Sequence, residues 1–139
     1  MIPSRIASLL LAATLAVSFA ACGDDDNSTP TSPTPSVTEV FTGTLTVNGG
    51  VTHAFKVSGS GPVKVTITSL TPAARLGFSL GNSTSGSNTG CSAVVSNDFA
   101  LAGDSLSGTA SAAVTLCTRI YDTGYLGESV AYELTVTHP

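Results

Sequence analysis

VFTGTLTVNGGVTHAFKVSGSGPVKVTITSL, Val40 to Leu70, decides the fold. Its apolar residues recur at every second position, the period at which a strand presents one face. Phe41, Leu45 and Val47 share a face with Gly43 between them; Val51, His53, Phe55 and Val57 share another. Val63, Val65 and Ile67 form a third, with Lys64, Thr66 and Thr68 opposite. Asn48-Gly49 between the first two runs is a hairpin signal and predicts that those two strands pair across it. Ser58 to Pro62, SGSGP, is the turn into the third.

Working outward, RLGFSLG (Arg75–Gly81) is a short strand with Leu76, Phe78 and Leu80 inward, followed by a Gly/Ser/Asn/Thr surface loop from Asn82 to Gly90. CSAVVSN and FALAGDSLSGTAS suggest further short strands, divided at Asn97-Asp98 and Gly103-Asp104. From Ala113 the chain reads as a closing hairpin. Val114, Leu116, Thr118 and Ile120 face one way on its first strand, and Val130, Tyr132, Leu134 and Val136 on its second. Matching those faces brings Arg119 near Glu133, an exposed pair worth little. About eight strands without a helical pattern predict an all-β domain, a single antiparallel β-sandwich of jelly-roll or Greek-key type.

The other side of the opening stretch is different. Arg5 precedes an uncharged run, Ile6 to Ala21, that ends in small residues, the layout of an export signal. At 16 residues it falls short of the roughly 20 that span a bilayer. Gly23, Asp24, Asp25, Asp26 and a Ser/Thr/Asn/Pro tract to Ser36 have no apolar residue to bury, so ordering them costs entropy without return. The chain thus divides into three segments: 1–21 as leader, 22–36 as tether, 37–139 as the folded domain.

Without Arg5 the chain holds 4 basic and 9 acidic residues, a net of −5 with neutral histidines, three of the negatives being Asp24 to Asp26. Lys56, Lys64, Arg75 and Arg119 are scattered. No basic stripe exists for a phosphate backbone, so nucleic acid is not an expected partner.

Phe19-Ala20-Ala21-Cys22 resembles the lipobox of bacterial lipoproteins, with Phe19 where an aliphatic residue is usual. The resemblance implies cleavage before Cys22, acylation of its sulfur and a membrane partner held through the lipid; two or more acyl chains anchor stably where one does not. Gly23 rather than Asp after the cysteine favours the outer over the inner membrane. With Cys22 acylated, Cys91 and Cys117 remain as a pair that an oxidising compartment joins. That bridge contributes about 3.5 kcal/mol in the loop-entropy model.

FTGTLTVNGGVTHAFKVSGSGPVKVTITSL, with LCTRIYDTG and VAYELTVTHP at the end, is similar to the bacterial pre-peptidase C-terminal domain over nearly all of Val37 to His138. The resemblance implies a β-sandwich and a place beside secreted peptidases. Related collagen-binding domains bind matrix and calcium through several carboxylates near the first strand, where this chain has only Glu39.

Catalytic residues are not expected. His53 shares an inward face with Val51 and Phe55, and His138 is penultimate, where chains fray; neither has a nucleophile in context. No metal site is expected from two distant histidines. Asp98, Asp104 and Asp122 sit in turns where carboxylates serve the local backbone, a loop calcium site being the one cofactor left open. Tyr121 and Tyr125, in YDTGYLGE, are the candidate ligand contacts, as rigid amphipathic rings, against the plainer reading that they cap the core. Two function classes remain: a non-catalytic binding or adhesion module at the envelope, for a protein or an extracellular polysaccharide, or a structural or assembly-accessory subunit of an envelope or secreted-protease complex.

Overall fold

A computed structural model describes residues 35–85 and 88–139; the leader, Cys22 and the tether as far as Thr34 lie outside them. Eight strands succeed one another: β1 (Val37–Leu45), β2 (Gly50–Val57), β3 (Gly61–Thr71), β4 (Leu76–Ser83), β5 (Cys91–Ala100), β6 (Ser105–Ala110), β7 (Val114–Tyr121) and β8 (Val130–His138). They form two four-stranded antiparallel sheets, in the orders β1-β8-β3-β6 and β2-β7-β4-β5. This is a jelly-roll sandwich, in agreement with the alternation in the sequence. Among the described residues no helix is long and apolar enough to cross a membrane.

The core is the sum of the inward faces. Leu45, Phe55, Val65, Ile67, Phe78, Ile120, Leu134 and Val136 lie between the sheets, each at most 3% exposed. Burying each such side chain contributes about 1.5–3 kcal/mol. Val47 departs from its expected face: β1 ends at Leu45, and Val47 projects into the turn at 42% exposure.

Both expected hairpins are corrected. The Asn48-Gly49 turn is present, with Asn48 at φ 56° and Gly49 N–H donating to Thr46 O at 2.9 Å. The strands it joins, however, belong to different sheets: β1 pairs with β8, and β2 with β7. The turn is a corner between layers. Likewise β7 and β8 lie in opposite sheets, so Arg119 faces Thr52 and Ser79, while Glu133 faces Thr42 and Ser69. Two amphipathic strands with matching apolar faces can pair edge to edge or stack face to face. Alternation alone does not separate these arrangements.

The middle of the chain is simpler than its pattern. β5 runs unbroken through Asn97-Asp98, where the sequence suggests a division, and pairs with β4 despite two register shifts. Each shift adds a residue on the β5 side and flips the facing of the residues beyond it. That is why Val94 is 75% exposed beside half-buried Val95, and why no clean alternation is legible.

Candidate functional site

The strand order places four connections at one end of the sandwich, here the upper end: the corner Thr46–Gly49, Pro72–Arg75 between β3 and β4, Leu101–Asp104 between β5 and β6, and Asp122–Ser129 between β7 and β8. Val37 and Pro139 both lie at the lower end, where Pro139 O accepts from Ser58 N–H at 3.1 Å. The chain therefore enters the domain at the end opposite those loops, a β1 length of roughly 30 Å away.

Asp122 organises the upper end. Its Oδ1 accepts from the backbone N–H groups of Gly124, Tyr125 and Leu126 at 2.7–3.2 Å, and Oδ2 from Asn48 N–H at 2.8 Å. Asp122 N–H in turn donates to Gly49 O at 3.0 Å. The Asn48 amide, then the loop amides, hold this carboxyl below its ordinary pKa. One turn aspartate thus ties the β1–β2 corner to the β7–β8 loop, in keeping with its place in a turn of the sequence. Asp104 also serves its own turn, accepting from Leu101 N–H at 3.0 Å.

The two tyrosines separate. Tyr121 is half-buried rather than an exposed contact: its ring lies across Gly77, where any side chain would collide with it, and its hydroxyl donates to Asp98. The Arg119 guanidinium sits 5.6 Å from the centre of the same ring. Burial, then the Asp98 carboxylate, push the Tyr121 pKa up. Asp98 itself is in β5, not in a turn, and ties this strand to β7.

Tyr125 is the exposed one, at 59%, beside Phe99 at 55%, with ring centres 5.8 Å apart. Arg75 places its guanidinium 5.9 Å from the centre of the Phe99 ring. Leu101 and Val47 are exposed at the same end. Next to this ledge is a hollow of about 330 Å³, lined in part by Pro72, Arg75, Tyr125, Leu126 and Glu128. Phe99 near the end of β5 and Tyr125 in the β7–β8 loop together leave large apolar groups in water, which makes this end a candidate interaction surface. Phe99 is not among the sequence candidates; its exposure results from the β5 register shifts, which no local pattern announces.

The histidines lie elsewhere, closing the side of the sandwich between β1 and β2. His53 stacks on Phe41 with ring centres 4.7 Å apart, and its Nε2 is 2.8 Å from the Tyr132 hydroxyl. Burial lowers the His53 pKa. His138 is not frayed but 3% exposed, stacked on Phe55, with Nε2 2.8 Å from Glu39 Oε1 and Nδ1 2.9 Å from Pro139 O. β8 stays paired to its last residue with Val37, which holds the ring in place. Neither arrangement presents a serine or cysteine nucleophile to an imidazole. Among the described residues no group of three or more His, Cys, Asp or Glu side chains is placed to hold a metal ion.

Cys91 and Cys117 are joined, S–S 2.02 Å, closing 26 residues of chain. Behind the bridge, Asn88 Oδ1 accepts from Ala54 N–H at 2.7 Å, so the β4–β5 connection reaches the free edge of β2.

No protein-family model matches the chain, and no curated protein matches it. Among solved structures it is similar to PliG of Aeromonas hydrophila, a periplasmic inhibitor of g-type lysozyme. That likeness has 14% identity and a TM-score of 0.50, over 71% of this chain and 83% of PliG. It is also similar to the Yersinia pseudotuberculosis-derived mitogen, with 15% identity and a TM-score of 0.48, over 74% of this chain and 86% of the mitogen. What the chain shares with PliG is the all-β sandwich fold.

Proposed function

We propose that this chain is a non-catalytic envelope lipoprotein, held by an acylated Cys22, whose sandwich presents the Phe99–Tyr125 ledge to a protein or polysaccharide. The observation that carries this reading is polarity along the strands. The chain enters at the lower end, and the exposed aromatic pair, Arg75 and the adjoining hollow stand at the upper end. A domain tethered at one end offers the other to its surroundings. Aromatic rings with an arginine beside them are the residue types that dominate binding energy at interfaces. The sandwich also lends itself to binding without catalysis: PliG, with the same fold, is an inhibitor.

The test is retention of the full chain, disulfide formed, on solubilised envelope proteins and on a panel of insoluble polysaccharides and matrix proteins, with and without calcium. Phe99→Ala and Tyr125→Ala should each weaken retention at least about tenfold, the size expected for truncating an aromatic anchor. Retention that neither change affects would move the site away from the ledge. Stoichiometric capture of one envelope protein through surfaces other than the upper end would favour the assembly-accessory role that the resemblance to pre-peptidase C-terminal domains implies.

A further inference from the structure

The corner between β1 and β2 holds a reactive pair of residues in an exposed place. Asn48-Gly49 is the one Asn-Gly step in the chain. It completes the turn Thr46 to Gly49, which is closed by Gly49 N–H donating to Thr46 O at 2.9 Å. Asn48 occupies the third position of that turn at φ 56°, the left-handed region that asparagine tolerates better than most residues. Its side chain is exposed, and among the described residues its amide group makes no hydrogen bond. The other described asparagines differ. Asn88 and Asn97 each have Oδ1 held by a backbone amide, of Ala54 and Phe99 respectively, and Asn82 is paired with Ser92 inside β4. Each of the three is followed by a residue with a side chain.

We propose that Asn48 is a site of spontaneous deamidation in the folded protein, and that isoaspartate formed there unlatches the corner from the β7–β8 loop. Gly49 N, on losing its proton, attacks Asn48 Cγ; that bond forms, the bond from Cγ to the side-chain nitrogen breaks, and ammonia leaves. Water then opens the succinimide at either carbonyl and Gly49 regains its N–H. One opening gives aspartate, the other isoaspartate, in which the main chain runs through the β-carbon. With no side chain on residue 49, the approach of its nitrogen is unobstructed. The Gly49 to Thr46 hydrogen bond must open first, which slows the step relative to an unfolded chain.

The peptide that reacts is the one that ties the corner. Asn48 N–H donates to Asp122 Oδ2 at 2.8 Å, and Gly49 O accepts from Asp122 N–H at 3.0 Å. Isoaspartate lengthens the main chain between them by one carbon, about 1.5 Å, more than a hydrogen bond of normal length tolerates. It also sets a new carboxylate beside that of Asp122, like charge against like. Asp122 Oδ1 keeps its bonds to the amides of Gly124, Tyr125 and Leu126, so the loop loses the corner without losing its own turn. Plain aspartate adds the charge and leaves the backbone path as it was. The reaction needs neither a ligand at the ledge nor the lipid on Cys22.

The test incubates the whole chain carrying Cys22→Ser, disulfide formed, at pH 9 and 37 °C in buffer and in urea, and follows each asparagine by peptide mapping against synthetic aspartate and isoaspartate standards. Asn48 should convert in both, faster in urea and with isoaspartate in excess. In buffer it should convert at least tenfold faster than Asn82, Asn88 or Asn97. In the isoaspartate form, separated by chromatography, hydrogen exchange at the Asp122 amide should quicken at least tenfold while that of Val65 in β3 stays unchanged. Asn48→Gly, which suits the positive φ, should remain unmodified there and exchange as the fresh protein does. Asn48→Asp should quicken exchange at Asp122 less than isoaspartate. No conversion in buffer over the time that completes it in urea would overturn the site. Conversion with unchanged exchange at Asp122 would overturn the latch. Equal quickening in Asn48→Asp would overturn the part assigned to the added backbone carbon.

Discussion

His53 shows how a residue that looks chemical in the sequence acts structurally. It stands on the inward face its alternation predicts, stacked on Phe41 and beside the Tyr132 hydroxyl, and burial lowers its pKa. The folded state therefore resists a proton that the unfolded chain accepts near its ordinary 6.5. The resulting stability is complete above that value and is lost as pH falls toward the lower folded pKa. Replacing the ring by one that cannot titrate removes this dependence. In urea unfolding of wild type and His53→Phe from pH 8 to pH 5, the advantage of wild type should shrink as the pH drops, whatever its size at pH 8. A constant difference across the range would mean that His53 is not held neutral by the fold. Residue facing of this kind is legible from spacing alone, for His53 as for Phe78 and Ile120. The surroundings of Phe99, Tyr121 and His138 are not, because they depend on strands far away in sequence: the β5 register, the ring-wide gap over Gly77, and the pairing of the last strand with the first.

At the scale of elements, the strands are readable and their partners are not. Of the connections between successive strands, only β4 to β5 joins hydrogen-bonded neighbours; every other one crosses from one sheet to the other. Asn48-Gly49 and the Asp122 loop carry strong turn chemistry, yet a tight turn serves a corner between layers as well as a hairpin. The deciding contacts, such as Asp122 to Asn48, span 74 residues. The Cys91–Cys117 bridge belongs to this scale, because it fastens β5, with its two register shifts, to the centre of its sheet. Replacing both cysteines by serine should cost about 2–4 kcal/mol, lowering the melting temperature by roughly 10–25 °C for a domain of this size. Hydrogen exchange should quicken first at Ala54, whose amide is held by Asn88 beyond the bridge. A variant that loses stability uniformly, with Ala54 no faster than the core of β3, would mean that the bridge restrains only the unfolded chain.

For the whole molecule, the anchor proposed at Cys22 and the ledge at the upper end have a consequence that distinguishes reach from affinity. Under that proposal the 14 residues from 23 to 36 act as a tether, which at about 3.1–3.6 Å each can extend at most about 43–50 Å. The domain adds the length of β1 before the Phe99–Tyr125 pair is reached. If the ledge meets a partner beyond the membrane surface, deleting residues 25–34 should leave the affinity of the detergent-solubilised chain unchanged. The same deletion should lower capture of that partner by intact cells, since it shortens the chain between Cys22 and the domain by ten residues. Tyr125→Ala should lower both measurements together. The two variants thus read independent variables, where the site is held and what the site is. An equal loss of solution affinity in both would make the tether part of the binding surface, and the division of the molecule into an anchored lower end and a recognising upper end would not stand.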